Sequence, residues 1–253
     1  LGGHPHPSMV PLAARLASMT QTNPLVRKVA KGTSYLRRNG VRMTTARLLQ
    51  GMGNQIANSG KGKGKGKIPL GMLVKFSDAA ALDWASEPHW RTNPRTVGEG
   101  PYTTAWIMSP PGESSGGHQN IFRFLSYLEA AGHRVKIFLY WSQKIPVDAD
   151  RVREMIERSS AYPTLKASYA LYDPAVGVGE DVDAIFATGW ETAYPAYLDR
   201  SRARRYYFVQ DFEPSFYPVG SENQLAENTY RFGFEAFTAG RWLAKKLHDE
   251  YGM

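Results

Sequence analysis

With 253 residues, 42% hydrophobic, 21% charged and 12% aromatic, the chain has the composition of a globular protein of one or two domains, not of a fibrous or wholly disordered one. The absence of cysteine excludes disulfide scaffolds, thiolate nucleophiles and Cys-ligated zinc, so stability must come from a packed core. The net charge of +8 is unevenly spread: residues 1–67 hold 12 Lys or Arg and no Asp or Glu, which leaves the other 186 residues at −4. Such a basic segment attracts the phosphates of nucleic acid or of an anionic membrane, whereas a mildly acidic remainder argues against a nucleic-acid groove across the fold.

No stretch approaches the roughly 20 apolar residues of a membrane span, and Leu1-Gly2-Gly3-His4 does not read as a signal peptide, so a soluble, cytoplasmic protein is expected. Without an initiating Met, and with text at residues 243–253 that reads as the middle of something longer, the chain is expected to be a piece of a larger protein. Residues 1–24, rich in Pro, Ser and His, are expected to be disordered or weakly held. Two helical segments follow, 25–36 and 41–56, broken at Asn39-Gly40. In the second, Leu48, Leu49, Met52 and Ile56 recur at spacings of three and four while Arg42 and Arg47 fall elsewhere. This basic helical hairpin either packs on the main domain or gives residues 25–67 a peripheral contact with the inner face of a membrane. The run Lys61-Gly62-Lys63-Gly64-Lys65-Gly66-Lys67 is a flexible linker; Ile68 after Lys67 denies it the Ser or Thr of a phosphate-cradling Walker loop. Residues 68–100, with Trp84, Trp90 and several prolines, read as an irregular connecting segment.

From residue 101 short apolar runs alternate with helical text. Residues 103–108 read as a strand, 109–117 as a small-residue turn, and Ile121, Phe124, Leu125 and Leu128 as the stripe of a helix stopped at Gly132. A strand over 135–141, a helix opened by Asp148 (Val152, Met155, Ile156) and strands over 165–172, 182–188 and 206–209 follow, with helical text around 194–198. Ser221-Glu222-Asn223-Gln224 reads as a capping box, 234–238 as a last strand and 241–251 as a last helix. Strands alternating with helices predict right-handed crossovers, so residues 101–253 should form an α/β domain: a Rossmann-like parallel sheet sandwiched by helices.

In such a sheet ligands bind beyond the carboxyl ends of the strands, where three loops converge: 114–120, 189–192 and 210–220. The first places Gly116-Gly117 directly before a helix, so backbone N–H groups and the positive end of the helix dipole can face a phosphate; a ligand-free tight turn is the alternative. His118 on this loop is either a ligand contact or a plain helix N-terminal histidine. The third loop carries Asp211 and Glu213 among three aromatics and two prolines, and carboxylates beside ring faces suit a sugar; acids capping the next helix or pairing with Arg204 or Arg205 are the alternative. The glycine spacing is not G-x-G-x-x-G and the end of the second strand, Phe138 to Trp141, has no acid for a ribose, so NAD is disfavoured. Asp148-Ala149-Asp150 and Asp181-Val182-Asp183 read as a cap and a solvated turn, the histidines have no zinc spacing, and no metal or other cofactor is implied.

The run 114–123, Ser-Ser-Gly-Gly-His-Gln-Asn-Ile-Phe-Arg, continued by Gly132-His133-Arg134-Val135, resembles the start of GT-B glycosyltransferases of a large retaining family. Tyr207-Phe208-Val209-Gln210-Asp211-Phe212-Glu213-Pro214, with Phe216-Tyr217-Pro218 and Gly220-Ser221, is similar to the signature of the WsaF-type rhamnosyltransferases. The resemblance covers residues 100–253 and implies the amino-terminal, acceptor-side half of a GT-B enzyme that moves a deoxysugar, rhamnose from dTDP-rhamnose, to a growing surface glycan; the partner carboxy-terminal domain, which holds most of the donor site, would follow. It places Gly116 and Gly117 on the donor side and the Asp211 to Tyr217 loop, with Phe212, Phe216 and Tyr217, on the acceptor side; their neighbours on the converging loops, Ser115, His118 and Asn120 for the donor and Trp190, Glu191 and Gln210 for the acceptor, complete the candidate site, with Asp211 or Glu213 against the acceptor hydroxyl. A non-catalytic α/β module whose basic arm contacts anionic membrane or nucleic acid is the alternative, with a nucleotide-dependent oxidoreductase a further one.

Overall fold

The computed structural model describes residues 72–142 and 146–253. The chain divides into two units, Leu1–Lys67 and Ile68–Met253, and the readings for the arm, hairpin and Lys-Gly run lie outside the described residues. In the second unit six strands, β1 (Thr103–Met108), β2 (Arg134–Leu139), β3 (Ser168–Leu171), β4 (Ala184–Ala187), β5 (Arg204–Val209) and β6 (Glu235–Thr238), form one sheet in the order β3-β2-β1-β4-β5-β6. Every neighbouring pair is parallel. The helices are α1 (Phe76–Ala80), α2 (His89–Thr92), α3 (Gly116–Ala130), α4 (Ala149–Arg158), α5 (Trp190–Leu198), α6 (Ser221–Asn228) and α7 (Arg241–Tyr251). This is the Rossmann-like α/β sandwich the alternation predicts.

The central strand explains the layering. All six residues of β1 are buried, so helices must cover both of its faces. Ala105 and Ile107 point into a core shared with Trp190, Tyr194, Ala226 and Leu243 from α5, α6 and α7. Trp106 and Met108 point into a second core with Ile121, Phe122 and Leu125 of α3 and Ile156 of α4. Across this second face Trp106 stacks on Phe186 of β4 at 4.1 Å and 1°, a cross-strand ring pair of the kind that fixes register. Asp148 caps α4, its carboxylate accepting from the N–H groups of Asp150 and Arg151, while Asp181 and Asp183 bind Lys136 and Arg95 at the opposite rim.

Two local readings are corrected. The segment expected to be irregular contains α1 and α2, single turns that no 3.6-residue stripe announces; tertiary anchors hold them, chiefly the buried Trp90, whose Nε1 donates to the Tyr197 carbonyl. The capping box is absent because α6 begins one residue early: Gly220 is its N-cap, Ser221 already lies inside the helix, and Gln224 Nε2 donates forward to Asn228.

Candidate functional site at the switch point of the sheet

The strand order reverses between β1 and β4, so the crevice of this doubly wound sheet opens beyond the carboxyl ends of those two strands. Beyond β1 the Ser109 hydroxyl donates to Glu191 Oε1 at the start of α5, 2.5 Å away, which ties the two sides of the crevice together. Glu191 is half-buried, and burial pushes its carboxyl pKa up, partly offset by the Ser109 hydrogen bond. The start of α5 is shaped by Thr192, whose Oγ1 accepts from the N–H groups of Thr188 and Gly189.

The glycine bend is built around His118. Its Nε2 lies 3.0 Å from the Ser109 carbonyl oxygen, which can only accept, so Nε2 carries the proton. Its Nδ1, 2.9 Å from Ser115 Oγ, therefore accepts the serine hydroxyl. Burial holds the His118 pKa below the ordinary histidine value against the opposing pull of the Ser109 carbonyl, so the ring is neutral at pH 7. Ser115 is the N-cap of α3 yet makes no capping hydrogen bond, because its hydroxyl is given to His118. The first turn of this 15-residue helix, which begins at Gly116 and Gly117, is thus left without a side-chain cap, and the two glycines are exposed. Asn120 is exposed one turn on. Tyr162 pins the bend from below: its hydroxyl donates to the Gly112 carbonyl and accepts the Ser115 N–H.

The acidic elbow meets this bend. A Cβ on Gly117 would stand 3.3 Å from Nε2 of Gln210, the first residue after β5. Asp211 is exposed, with Oδ1 accepting from the Phe212 N–H. Glu213 is 9% exposed and enclosed: Oε2 accepts from the Trp190 N–H at 2.7 Å and the Tyr207 hydroxyl at 2.6 Å, and the Tyr230 hydroxyl accepts from the Glu213 N–H. Burial, then the neighbouring Glu191 charge, pushes Glu213 up to about 8. Its partners are tyrosines and a helix N–H, not Arg205, whose side chain is wholly buried against the carbonyls of Ala196, Ala203, Asp199 and Ser201.

Of the residues singled out in the sequence, Ser115, Gly116, Gly117, His118, Glu191, Gln210 and Asp211 come together at this rim. Others do not offer the faces expected of them. Trp190 is 2% exposed, its Nε1 donating to the Tyr217 hydroxyl and its ring edge-on to Tyr194 and Tyr217, because a ring this large gains more from the core than from solvent. Tyr217 is thereby committed to holding the elbow on α5. Phe212 turns away, stacked on Tyr230 and under the Lys246 ammonium at 4.3 Å. Phe216 alone among the elbow rings is exposed, at 37%. The sequence reading missed Ser109, Tyr207 and Tyr230, whose roles depend on long-range contacts. It also missed an acid at the exit of β2: Asp78, 62 residues away, accepts the Tyr140 hydroxyl there.

A sequence-family model described as WsaF, N-terminal domain, matches residues 172–238, which run from the end of β3 to the end of β6 and include the whole elbow. The chain is also similar to the O-antigen biosynthesis protein RfbC of Myxococcus xanthus, 29% identical over 152 residues. That stretch is 60% of this chain and 12% of RfbC, so the chain spans a small part of the curated relative it matches. Among the described residues no helix is long and apolar enough to cross a membrane.

Proposed function

We propose that this chain is the acceptor-side, amino-terminal half of a GT-B glycosyltransferase of surface-glycan biosynthesis, moving rhamnose or a related deoxysugar from its dTDP-activated donor to a growing glycan. The observation that carries this reading is the meeting of two sequence-distant segments at the switch point: the uncapped double-glycine turn and the acidic elbow, in contact through Gly117 and Gln210. The likeness to a glycan-assembly protein and to the WsaF N-terminal domain supports it. Uncapped N–H groups and the dipole of α3 would stabilise charge developing on the departing nucleotide diphosphate. The exposed Asp211 would hold the acceptor hydroxyl and accept its proton, with Phe216 as the ring beside the sugar; Glu213, enclosed and largely protonated at pH 7, would position the elbow. A second domain would supply the rest of the donor site, and the basic arm would hold the enzyme near an anionic leaflet.

When this chain is joined to the second Rossmann-like domain that the proposal requires, turnover of dTDP-rhamnose should fall at least ~100-fold in Asp211→Asn with little change in donor KM. Wild-type turnover in that variant would remove Asp211 from the chemistry. His118→Ala should release the Ser115 hydroxyl to cap α3, a bond of about 1 kcal/mol. Titration calorimetry with dTDP should then show weaker binding while the melting temperature changes by only a few degrees.

A further inference from the structure

The two faces of the sheet are not equally covered. One carries α5, α6 and α7. The other carries α3 and α4 over β1 to β3, and the crossover from β3 to β4, residues 172–183, contains no helix to extend that layer over β5 and β6. What lies there instead is a sheet of rings. Phe186 stacks on Tyr206 at 4.9 Å and 19°, Phe237 closes on both at 5.6 Å, and Phe124 of α3 leans over Phe208 at 5.4 Å. Tyr206 and Phe208 are half-buried, Phe237 is 42% exposed, and Tyr127, three residues after Phe124 on α3, is 72% exposed. Arg204 and Glu235 stand on this same face by strand alternation, both exposed. Among the described residues no side-chain hydrogen bond or ion pair involves Arg204, Glu235 or the Tyr206 hydroxyl.

We infer that this β5–β6 face is the contact between two copies of the chain. The register supplies the argument. Tyr206 is level with Glu235 and Phe208 with Phe237. A two-fold axis parallel to the strands and running between β5 and β6 lays β5 of one copy over β6 of the other. Phe208 then meets Phe237 of the second copy, and the Tyr206 hydroxyl meets Glu235 of the second copy. Arg204, two residues further along β5 and so about 6.6 Å away, reaches the same carboxylate diagonally. Each contact occurs twice, the self-complementarity that an isologous interface requires. The pattern is apolar at its centre with one cation and one anion at its margin, both without an ion-pair partner among the described residues and paired in the dimer.

Sedimentation velocity on the full chain between about 1 and 100 µM should show a monomer–dimer equilibrium, a range typical of weak interfaces. Phe237→Lys should raise the dissociation constant about 100-fold and Glu235→Arg about tenfold. Adding Arg204→Glu to Glu235→Arg should restore most of the loss, a rescue that remains readable should Phe237→Lys fold poorly. A wild-type chain that stays monomeric at 100 µM, or a dimer that none of these changes weakens, would overturn the inference. The result does not depend on whether the chain transfers a sugar.

Discussion

Glu213→Ala is expected to cost about 3 kcal/mol of folding stability, read as an earlier urea midpoint, and to detach the elbow from α5. The carboxylate stands where three elements meet. It accepts from the first N–H of α5 and from Tyr207 in β5, while its own N–H donates to Tyr230. Removing it leaves a buried N–H and a buried hydroxyl unsatisfied in a site with 0% exposure at Tyr207. Glu213→Gln keeps an oxygen for the same donors and should keep the fold, but it should change how stability responds to pH. In the folded state Glu213 is raised from 4.5 to about 8, so between those values the folded chain holds a proton that the unfolded chain has released. Its contribution is therefore fully present below pH 4.5, declines as pH rises, and levels off above pH 8, with a slope of up to about 1.4 kcal/mol per pH unit. The Gln variant should lack that decline and gain on the wild type from pH 5 to pH 8. Parallel pH profiles for the two proteins would show that the carboxyl is not buried as described.

The fold was legible because its signals are local and periodic. Runs such as Thr103–Met108 are short, apolar and bounded by turn residues, and their alternation with helical stripes leaves few topologies, while β5 begins at Arg204, two residues ahead of the apolar run 206–209. Strand ends are less sharp in the sequence than in the sheet: Leu165 and Ala167 extend the apolar text ahead of β3, whose pairing with β2 begins only at Ser168. The one-turn helices α1 and α2 carry too few residues for a period and owe their form to contacts far away in sequence, as Trp90 to Tyr197 illustrates.

The site was legible only in outline. Glycines before a helix stripe and acids after a strand are one-dimensional patterns, and the rule that loops after parallel strands share a rim brings them together. Which side of a ring faces solvent is decided by packing, and there the sequence offered no guide: Trp190, Phe212 and Tyr217 look like sugar platforms in the text but serve as anchors. The Ser115 hydroxyl is a related case. Ser115 is the N-cap of α3, yet its hydroxyl donates to the histidine three residues on, which leaves the helix end without a side-chain cap. Stability forgone at that turn is what the proposed phosphate contact would require.

Gly117→Leu is expected to abolish binding of a diphosphate-linked sugar at this rim, a loss of at least about 30-fold, while leaving the melting temperature unchanged or slightly raised. Glycine within a helix is worth up to about 1 kcal/mol less than alanine, so nothing in the folding of α3 requires it at position 117, which has no positive φ. What a side chain would disturb is space. A Cβ there already stands 3.3 Å from Gln210 Nε2, closer than the amide can accept without moving, and a leucine would fill the gap between bend and elbow. Gly116 differs, because a Cβ at that position meets nothing within 4 Å, and Gly116→Ala should stabilise the helix with a smaller loss of affinity. Calorimetry with dTDP-rhamnose and thermal melts on the two variants separate the cases: affinity lost together with stability would mean that Gly117 serves packing, whereas affinity lost from an equally stable fold would place the ligand's phosphates against the bare first turn of α3.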